Sequence, residues 1–211
     1  HKGGIRAIAF SPDGRRLVHI ADGKDGVWLW DLATGRLLIE GLGTGAQREW
    51  VSFTGNGHQL ITLGQDGMIH WPIVPADYPQ NGRLTLGAPQ RIPLPAGARL
   101  TDIACLSRDG SRLLARIGAN RAVLIDLEAP EHQQTFETEV EIGSLAFSHD
   151  DQFIAVGTRR DGNTRVLRVE PGFPLVKELP PGDANVAFSQ NGVWLVNFTQ
   201  DECEFWDART F

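Results

Sequence analysis

The residues that could do chemistry in this chain follow the spacing of a repeat. Ser11, Ser148 and Ser189 occupy the same place in a recurring turn, so turn geometry explains them, and no G-x-S-x-G nucleophile elbow occurs. The six histidines are scattered and include no i, i+4 pair, the spacing that brings two imidazoles to one metal on a helix. The sequence therefore predicts no catalytic residue, no metal and no cofactor.

Two glycine-containing segments resemble ligand loops without completing one. "DGKDG" at 22–26 clusters Asp and Gly as calcium loops do, but its spacing matches no complete set of ligands. "GLGTG" at 41–45 lacks the strand-to-helix context of a phosphate-binding loop. We interpret the first as a turn and the second as a connector.

Composition and charge argue against further classes. No apolar run approaches the roughly 18 residues of a membrane span, and the net charge of −6 without long basic runs argues against nucleic acid as the main partner. Cys105 and Cys203 are too few for a disulfide scaffold. Reduced cysteines and the lack of a leader at the start of this sequence predict a cytoplasmic location.

One short segment recurs along the whole chain. "IAFSPDG" at 8–14 returns in altered form at 51–57, 103–110, 145–151 and 186–192. The copies are keyed on Phe10, Phe53, Leu106, Phe147 and Phe188, at intervals of 43, 53, 41 and 41 residues. A period near forty indicates repeats of one supersecondary unit, each unable to bury its apolar face alone.

Each repeat is predicted to form four short antiparallel strands. In the first, "GIRAIAF", "RRLVHIA", "VWLWDL" and "RLLIEG" are separated by "SPDG", "DGKDG" and "ATG", whose residues favour tight turns. No segment has a helical period. The longest interval contains an insertion after Trp71, where five prolines and Tyr78 predict a stiff loop without strand pairing.

These features together resemble the tryptophan–aspartate (WD) repeat β-propellers. The resemblance rests on the "FSPDG" turn, on Trp30-Asp31 and Trp206-Asp207 closing third strands, and on an Asp five residues before each Trp. It implies an all-β fold of four-stranded antiparallel blades. It covers 1–211 as a single propeller, with repeats at approximately 1–43, 44–96, 97–138, 139–179 and 180–211.

The family's polar network is only partly recognisable in this sequence. The resemblance implies hydrogen bonds among a His, a second-strand Ser or Thr, a turn Asp and a third-strand Trp, yet most of these partners are missing here. We therefore predict that the acidic turn residues mainly bond backbone amides of their own turns. They are Asp13, Asp25, Asp66, Asp161 and Asp201.

The resemblance also raises the question of ring closure. The fifth repeat lacks its outer strand, which leaves an open sheet edge of the kind that proteins normally cover or pair. We expect the five repeats to be part of a larger propeller, often seven-bladed in this family. The alternatives are a five-bladed ring closed without that strand, or one closed by a partner chain.

A propeller of this family implies a non-catalytic scaffold or sensor that binds a protein or peptide. In bacteria such propellers resemble the sensor or scaffold half of multidomain signalling proteins. The alternative is a propeller belonging to, or attached to, a hydrolase or lyase, since fold alone does not assign function. Trp and Arg are enriched at binding hot spots. By the family's topology, the loops from each outer strand to the next inner strand share one face of the propeller, here called the loop face. On the loop face we predict partner contacts by Arg48, Trp50, Arg99, Arg159 and Arg160.

Overall fold

The computed structural model describes most of the chain as short β-strands. It covers residues 4–21, 26–42, 47–76, 83–159, 162–181, 185–199 and 202–211. All regular elements in these ranges are strands, which confirms the all-β prediction. Accordingly, the described ranges include no helix of the length and apolarity that a membrane span requires. The predicted residues Asp25, Tyr78, Arg160, Asp161 and Asp201 lie outside the described residues.

The chain divides into two compact units, His1–Asp102 and Ile103–Phe211. The first sheet of the first unit pairs its four strands in sequence order, as predicted. Its strands are β1 (Ile5–Phe10), β2 (Arg16–Ala21), β3 (Val27–Asp31) and β4 (Leu37–Leu42).

The second sheet of the first unit contains the insertion and has five strands. They are β5 (Arg48–Phe53), β6 (Gln59–Gly64), β7 (Gly67–Pro75), β8 (Leu84–Leu86) and β9 (Gln90–Ile92). The long β7 pairs with β9 through its first half and with β8 through its second half. The prediction of a loop without strand pairing is therefore wrong for 84–86. Prolines are tolerated at edge and terminal strand positions, where the ladder needs no N–H from them.

The second unit contains three sheets. The third and fourth sheets each have four strands in sequence order, and the fifth has three in the described residues. The third is β10 (Ala104–Leu106), β11 (Arg112–Arg116), β12 (Arg121–Asp126) and β13 (Gln133–Glu137). The fourth is β14 (Ile142–Phe147), β15 (Phe153–Thr158), β16 (Asn163–Arg168) and β17 (Leu175–Pro181). The fifth is β18 (Asn185–Phe188), β19 (Trp194–Phe198) and β20 (Cys203–Asp207).

The same turn joins the first two strands of every sheet. The Ser11 hydroxyl donates to the Asp13 carboxylate at 2.5 Å and accepts the Arg16 amide N–H at 2.9 Å. Asp13 also accepts the Arg15 amide N–H, and Gly14 has a positive φ of 67°. The same hydrogen bond, from a Ser or Thr hydroxyl to an Asp carboxylate or an Asn amide oxygen, recurs in four further pairs: Thr54–Asn56, Ser107–Asp109, Ser148–Asp150 and Ser189–Asn191.

The core of each unit forms where one sheet packs on the next. In the first unit, Val18 and Leu29 of the first sheet are buried against Val51 and Phe53 of the second. The second unit repeats this packing between adjacent sheets, for example where the fourth sheet covers Leu195 of the fifth. Apolar burial of this kind is the main driving force of folding. Each sheet therefore depends on its neighbour, as a repeat architecture requires.

Candidate partner-binding surface

A largely buried polar network lies in the second sheet, near the turn between β6 and β7. The Arg48 guanidinium donates to the Thr62 hydroxyl at 2.6 Å and to the Asp66 carboxylate at 2.8 Å. The Trp71 indole N–H donates to the same Thr62 oxygen at 2.9 Å, and the guanidinium lies over the Trp71 ring. One cluster of four residues thus connects strands β5, β6 and β7 and the turn between β6 and β7.

Arg48 therefore has a structural position. Only 4% of the residue is exposed, and burial lowers the pKa of its guanidinium against the opposing effect of the Asp66 carboxylate. An arginine with such a shift remains charged, because its ordinary pKa is very high. Because its guanidinium is buried and bonded to Thr62 and Asp66, the structure argues against the partner contact predicted for Arg48.

Asp66 also departs from its predicted role. Its described side-chain partner is Arg48, eighteen residues earlier in the chain, and not a backbone amide of its own turn. The prediction that the turn acids mainly serve their own turns is therefore wrong for Asp66. The physical reason is that an ionised carboxylate bonds a guanidinium more strongly than a neutral amide.

Two other sheets retain a bonded third-strand tryptophan. In the first sheet, Trp30 donates its indole N–H to Nδ1 of His19 at 3.3 Å, and burial lowers the pKa of His19, which favours the neutral ring that can accept this bond. In the fifth sheet, Glu204 accepts from both Asn197 and Trp206. The remaining sheets have apolar residues at these positions: Ala115 with Ile125, and Val156 with Leu167.

The other predicted contact residues are more accessible. Arg99 and Arg159 are exposed, and Trp50 is half-buried on β5. Arg159 directly follows β15, and its backbone N–H donates to the Glu141 carbonyl at 2.8 Å. An exposed charged side chain is thus carried on a fixed backbone, which reduces the entropy lost on binding.

A recess of 220 Å³ lies in the second unit, and Thr158, the residue before Arg159, forms part of its lining. It is lined by Thr138, Glu139, Thr158, Asn163 and Arg165 together with Val140 and Gly162. A Cβ at residue 162 would lie 2.4 Å from both Thr158 Oγ1 and Val140 Cγ2, so glycine permits the close approach of the two walls. The sequence analysis names Arg159 as a contact residue and does not predict this recess.

The charges around the recess are mixed. Arg165 donates to Glu178 at 3.0 Å and to Glu139 at 3.4 Å, and the Glu139 side chain is largely exposed. Surface pairs of this kind contribute little to stability, so their side chains can exchange partners at low cost. The recess thus offers both a guanidinium and a carboxylate to an incoming molecule.

Side-chain hydrogen bonds to backbone groups hold the part of the recess lining at 138–140. Asn120, at the turn between β11 and β12 of the preceding sheet, donates to the Thr138 carbonyl at 2.8 Å, and Thr138 donates to the Val140 carbonyl at 2.7 Å. Arg116 donates to the Ile142 carbonyl at 2.6 Å and to Glu141 at 3.0 Å. These bonds fix the connector between the third and fourth sheets.

The potentially reactive groups show no activated arrangement in the described part of the chain. Burial raises the pKa of the Cys105 thiol to about 12, which keeps it protonated at neutral pH. Across the same ranges, no group of three or more His, Cys, Asp or Glu residues is arranged to hold a metal ion.

Two segments of the chain match one protein family. The family described as "WD domain, G-beta repeat" matches residues 1–31 and 130–166. The second match begins just before β13 and ends within β16, so one sequence repeat joins the outer strand of one sheet to the inner strands of the next. The chain contains WD repeats and has a β-propeller fold.

The known structures agree with this fold. The WD-repeat propeller resembles the β-propeller domain of Cps50 (Swd1) from Myceliophteria thermophila, with a TM-score of 0.76 and 19% sequence identity. The match covers 100% of this chain and 72% of that domain. At this identity the likeness establishes the fold alone.

One curated relative has higher identity over a short length. Centriole proteome protein 16 of Chlamydomonas reinhardtii is 38% identical over 76 residues. The match covers 35% of this chain and 4% of that protein. This relative comes from an alga, so the bacterial origin stays a prediction.

WD-repeat propellers generally present their loops to protein partners, because the sheets beneath hold those loops in place.

Proposed function

We propose that this WD-repeat propeller is a non-catalytic scaffold that binds a protein or peptide through its loop face. The arrangement around Arg159 supports this most directly. The second unit contains an exposed arginine, a recess with both charge signs and a connector fixed by side-chain hydrogen bonds. Arginines on preorganised backbone are frequent hot spots of protein interfaces.

The recess suits a short peptide segment. Its volume of 220 Å³ is enough for one or two side chains. Arg165 and Glu139 can bond the carbonyl and amide groups of an extended backbone, since one is a donor and the other an acceptor. Arg159 directly follows the lining residue Thr158 and adds an exposed positive charge, which favours an acidic residue in the partner.

We further propose that the propeller works within a larger, multidomain protein in the cytoplasm, as a scaffold or sensor module. The short match to a far longer curated relative supports the multidomain setting. Cys203 is an exposed free thiol, which supports a reducing compartment.

Site-specific photocrosslinking tests the binding role. A photoreactive amino acid is placed at position 159, and in a matched control at Leu32, which is also exposed but lies in a turn of the first unit. We expect protein adducts from a lysate of the source cell at position 159 and not at position 32. The same adducts at both positions, or none at 159, would refute the proposed surface.

A substitution within the recess provides the second arm. Gly162→Val adds side-chain atoms where a Cβ alone already meets Thr158 and Val140 at 2.4 Å. Gly162→Val should lower the yield of crosslinked adducts at position 159 several-fold. The control is Gly172→Val, at a glycine with open space around it, which should leave this yield unchanged. Because Gly172 has a positive φ, far-ultraviolet circular dichroism must first show that both variants are folded.

A further inference from the structure

A second recess adjoins the recess of 220 Å³ in the second unit. It has a volume of 350 Å³, and the two recesses share the lining residues Thr138 and Arg165. Together they form one groove between β13, the outer strand of the third sheet, and the fourth sheet. We call it the outer groove. Residues 135–138 line one side of its larger part, and the other side consists of Arg165, Leu167, Gly172, Phe173 and Leu175.

The side at 135–138 is the edge of a strand and not one of its faces. Successive side chains of a strand point to opposite faces, so a cavity that contacts four consecutive residues runs along the edge. In the part of the chain that the structure describes, β13 pairs with β12 alone. An edge of this kind is a template for another strand.

The ladder between β12 and β13 shows which backbone groups face the groove. At its two ends the Thr138 N–H donates to the Asn120 carbonyl at 2.8 Å, and the Asp126 N–H donates to the His132 carbonyl at 3.4 Å. The register between these ends is regular, and bonded pairs alternate with unbonded pairs in an antiparallel ladder. The odd-numbered residues of β13 therefore direct their N–H and C=O groups away from β12. They include Thr135 and Glu137.

The opposite side of the larger recess is mostly apolar. Leu167 and Leu175 lie opposite each other in the register of β16 and β17, and Leu175 is exposed. Phe173, in the turn between these strands, is buried, and its ring centroid lies 5.0 Å from that of Phe136 on β13. This end of the outer groove can therefore enclose a bulky apolar side chain.

The backbone of Phe173 is strained. Its φ of 47° lies in the left-handed region, which a bulky residue rarely adopts. Its burial against Phe136 shows that packing holds it there. Strain of this kind is frequent at ligand sites, where the surrounding structure fixes a wall in advance. A wall that is already in place reduces the free energy lost on binding.

At the other end of the outer groove the carboxylates are more exposed than the guanidinium groups that they approach. The Glu139 side chain is 85% exposed, and that of Arg165, at 3.4 Å, is 28% exposed. Glu137 and Arg121 differ in the same way, at 67% and 34%. An incoming molecule thus meets negative charge first. Charge complementarity favours a basic side chain at this end.

We propose that the outer groove binds an extended peptide segment that pairs with β13 at Thr135 and Glu137. The segment has an apolar residue and a basic residue separated by one position. Phe136 lines only the larger recess and Thr138 lines both, so the apolar and charged ends are two residues apart along β13. Side chains at this spacing lie on the same face of the added strand. The proposal rests on the proposed scaffold function and names the class of peptide that the recess of 220 Å³ receives.

Peptide selection tests this chemistry without knowledge of the natural partner. Random octapeptides displayed on phage are selected on the immobilised 211-residue chain. We expect enrichment of Leu, Ile, Met or Phe separated by one residue from Lys or Arg. The affinity of a labelled synthetic peptide of the enriched sequence is then measured by fluorescence anisotropy. No enrichment, or enrichment of acidic peptides alone, would overturn the proposal.

Substitutions on the protein locate the bound peptide. Glu139→Lys should weaken its binding several-fold, and replacement of the peptide's basic residue by Glu should restore binding to this variant. Glu131→Lys, at an exposed residue outside both linings, is the control for added charge. Leu175→Ser should also weaken binding several-fold, while Leu32→Ser, at an exposed leucine of the first unit, should not. Unchanged affinity in Glu139→Lys and Leu175→Ser, with circular dichroism showing both folded, would refute the site.

Methylation of the peptide backbone tests the strand pairing itself. Each peptide N–H is replaced in turn by N-methyl. Only alternate N–H groups of an added strand face β13, so methylation at every second position should weaken binding by about tenfold, and methylation between them should have little effect. Equal sensitivity at all positions, or at none, would contradict pairing with β13.

Photocrosslinking at position 159 keeps this proposal separable from the scaffold role. Protein adducts at 159 that Glu139→Lys and Leu175→Ser leave unchanged would support the scaffold role and overturn the outer groove as its peptide site. Alternating sensitivity to N-methylation without adducts at 159 would support the outer groove and refute the contact at Arg159.

Discussion

The Arg48 guanidinium donates to the Asp66 carboxylate at 2.8 Å within a blade, and the same guanidinium bonds Thr62. In the network that the family resemblance implies, a histidine occupies the place of Arg48. The arginine reaches both partners because its planar group presents several donors in fixed directions. An irregular repeat thus keeps a polar connection between the start of its first strand and its central turn.

Replacement of Arg48 should destabilise the chain strongly. Arg48→Ala leaves Asp66 as a largely buried charge and removes a donor from Thr62, which is expected to lower the free energy of unfolding by about 3 kcal/mol. Arg48→Lys should recover only part of this loss, because one ammonium cannot reproduce both contacts. Urea denaturation measures the change.

Arg6 provides the matched control for that experiment. It also pairs with a carboxylate, Glu49, at 2.6 Å, but both side chains are about one-third exposed. Arg6→Ala should cost roughly 0–1 kcal/mol, as exposed ion pairs usually do. Equal losses for the two alanine variants would show that burial of the Arg48 network does not stabilise the blade.

Acid sensitivity should depend on the repeated turn. The Ser107 hydroxyl and the Ser111 amide N–H hold the pKa of Asp109 below its ordinary value of 3.8, and equivalent bonds from Ser11 and Arg15 lower the pKa of Asp13. Since the folded pKa is the lower one, the unfolded chain takes up protons first as the pH falls. The stabilising effect is therefore complete above pH 3.8 and decreases below it.

Asparagine substitutions isolate this effect. Asn56 and Asn191 already occupy the same turn position in two repeats, so Asp13→Asn with Asp109→Asn should keep the turns. In urea denaturation the double variant should be less stable than the wild type at pH 7 and should lose less stability between pH 4 and pH 2, so that the two converge at low pH. An unchanged slope in that range would contradict the assigned role of these carboxylates.

The two cysteines should differ sharply in reactivity within the isolated 211-residue chain. Burial raises the pKa of Cys105 to about 12, while Cys203 is exposed. At pH 8 one thiol should react with Ellman's reagent in the native chain and two in urea, since only the thiolate attacks. Cys203→Ser should abolish the fast reaction. Two fast thiols in the native wild type would contradict the placement of Cys105.

The sequence predicted the features that depend on local chemistry. The turn pattern around Ser11, Asp13 and Gly14 requires neighbours only two to five residues apart, so its recurrence was sufficient to place the first two strands of each repeat. The alternation in "VWLWDL" similarly identified β3. Features set by short-range geometry remain readable even when a repeat has diverged.

The features that the sequence did not predict depend on distant partners. The sequence alone does not show that Arg48 is buried, because its contacts with Thr62 and Asp66 span fourteen and eighteen residues. A signal was available, since the second repeat retains Thr62, Asp66 and Trp71 and lacks only the histidine. In the insertion, prolines concealed β8, whose pairing with β7 depends on register and not on composition.

The most direct test compares two phenylalanines that share one repeat position. Phe10 is exposed on the first sheet and Phe53 is buried between the first and second sheets. If each sheet becomes stable by packing on the next, Phe53→Ala should lower the free energy of unfolding by about 3–5 kcal/mol and Phe10→Ala by less than about 1 kcal/mol. Similar losses for both variants in urea denaturation of the 211-residue chain would contradict the account.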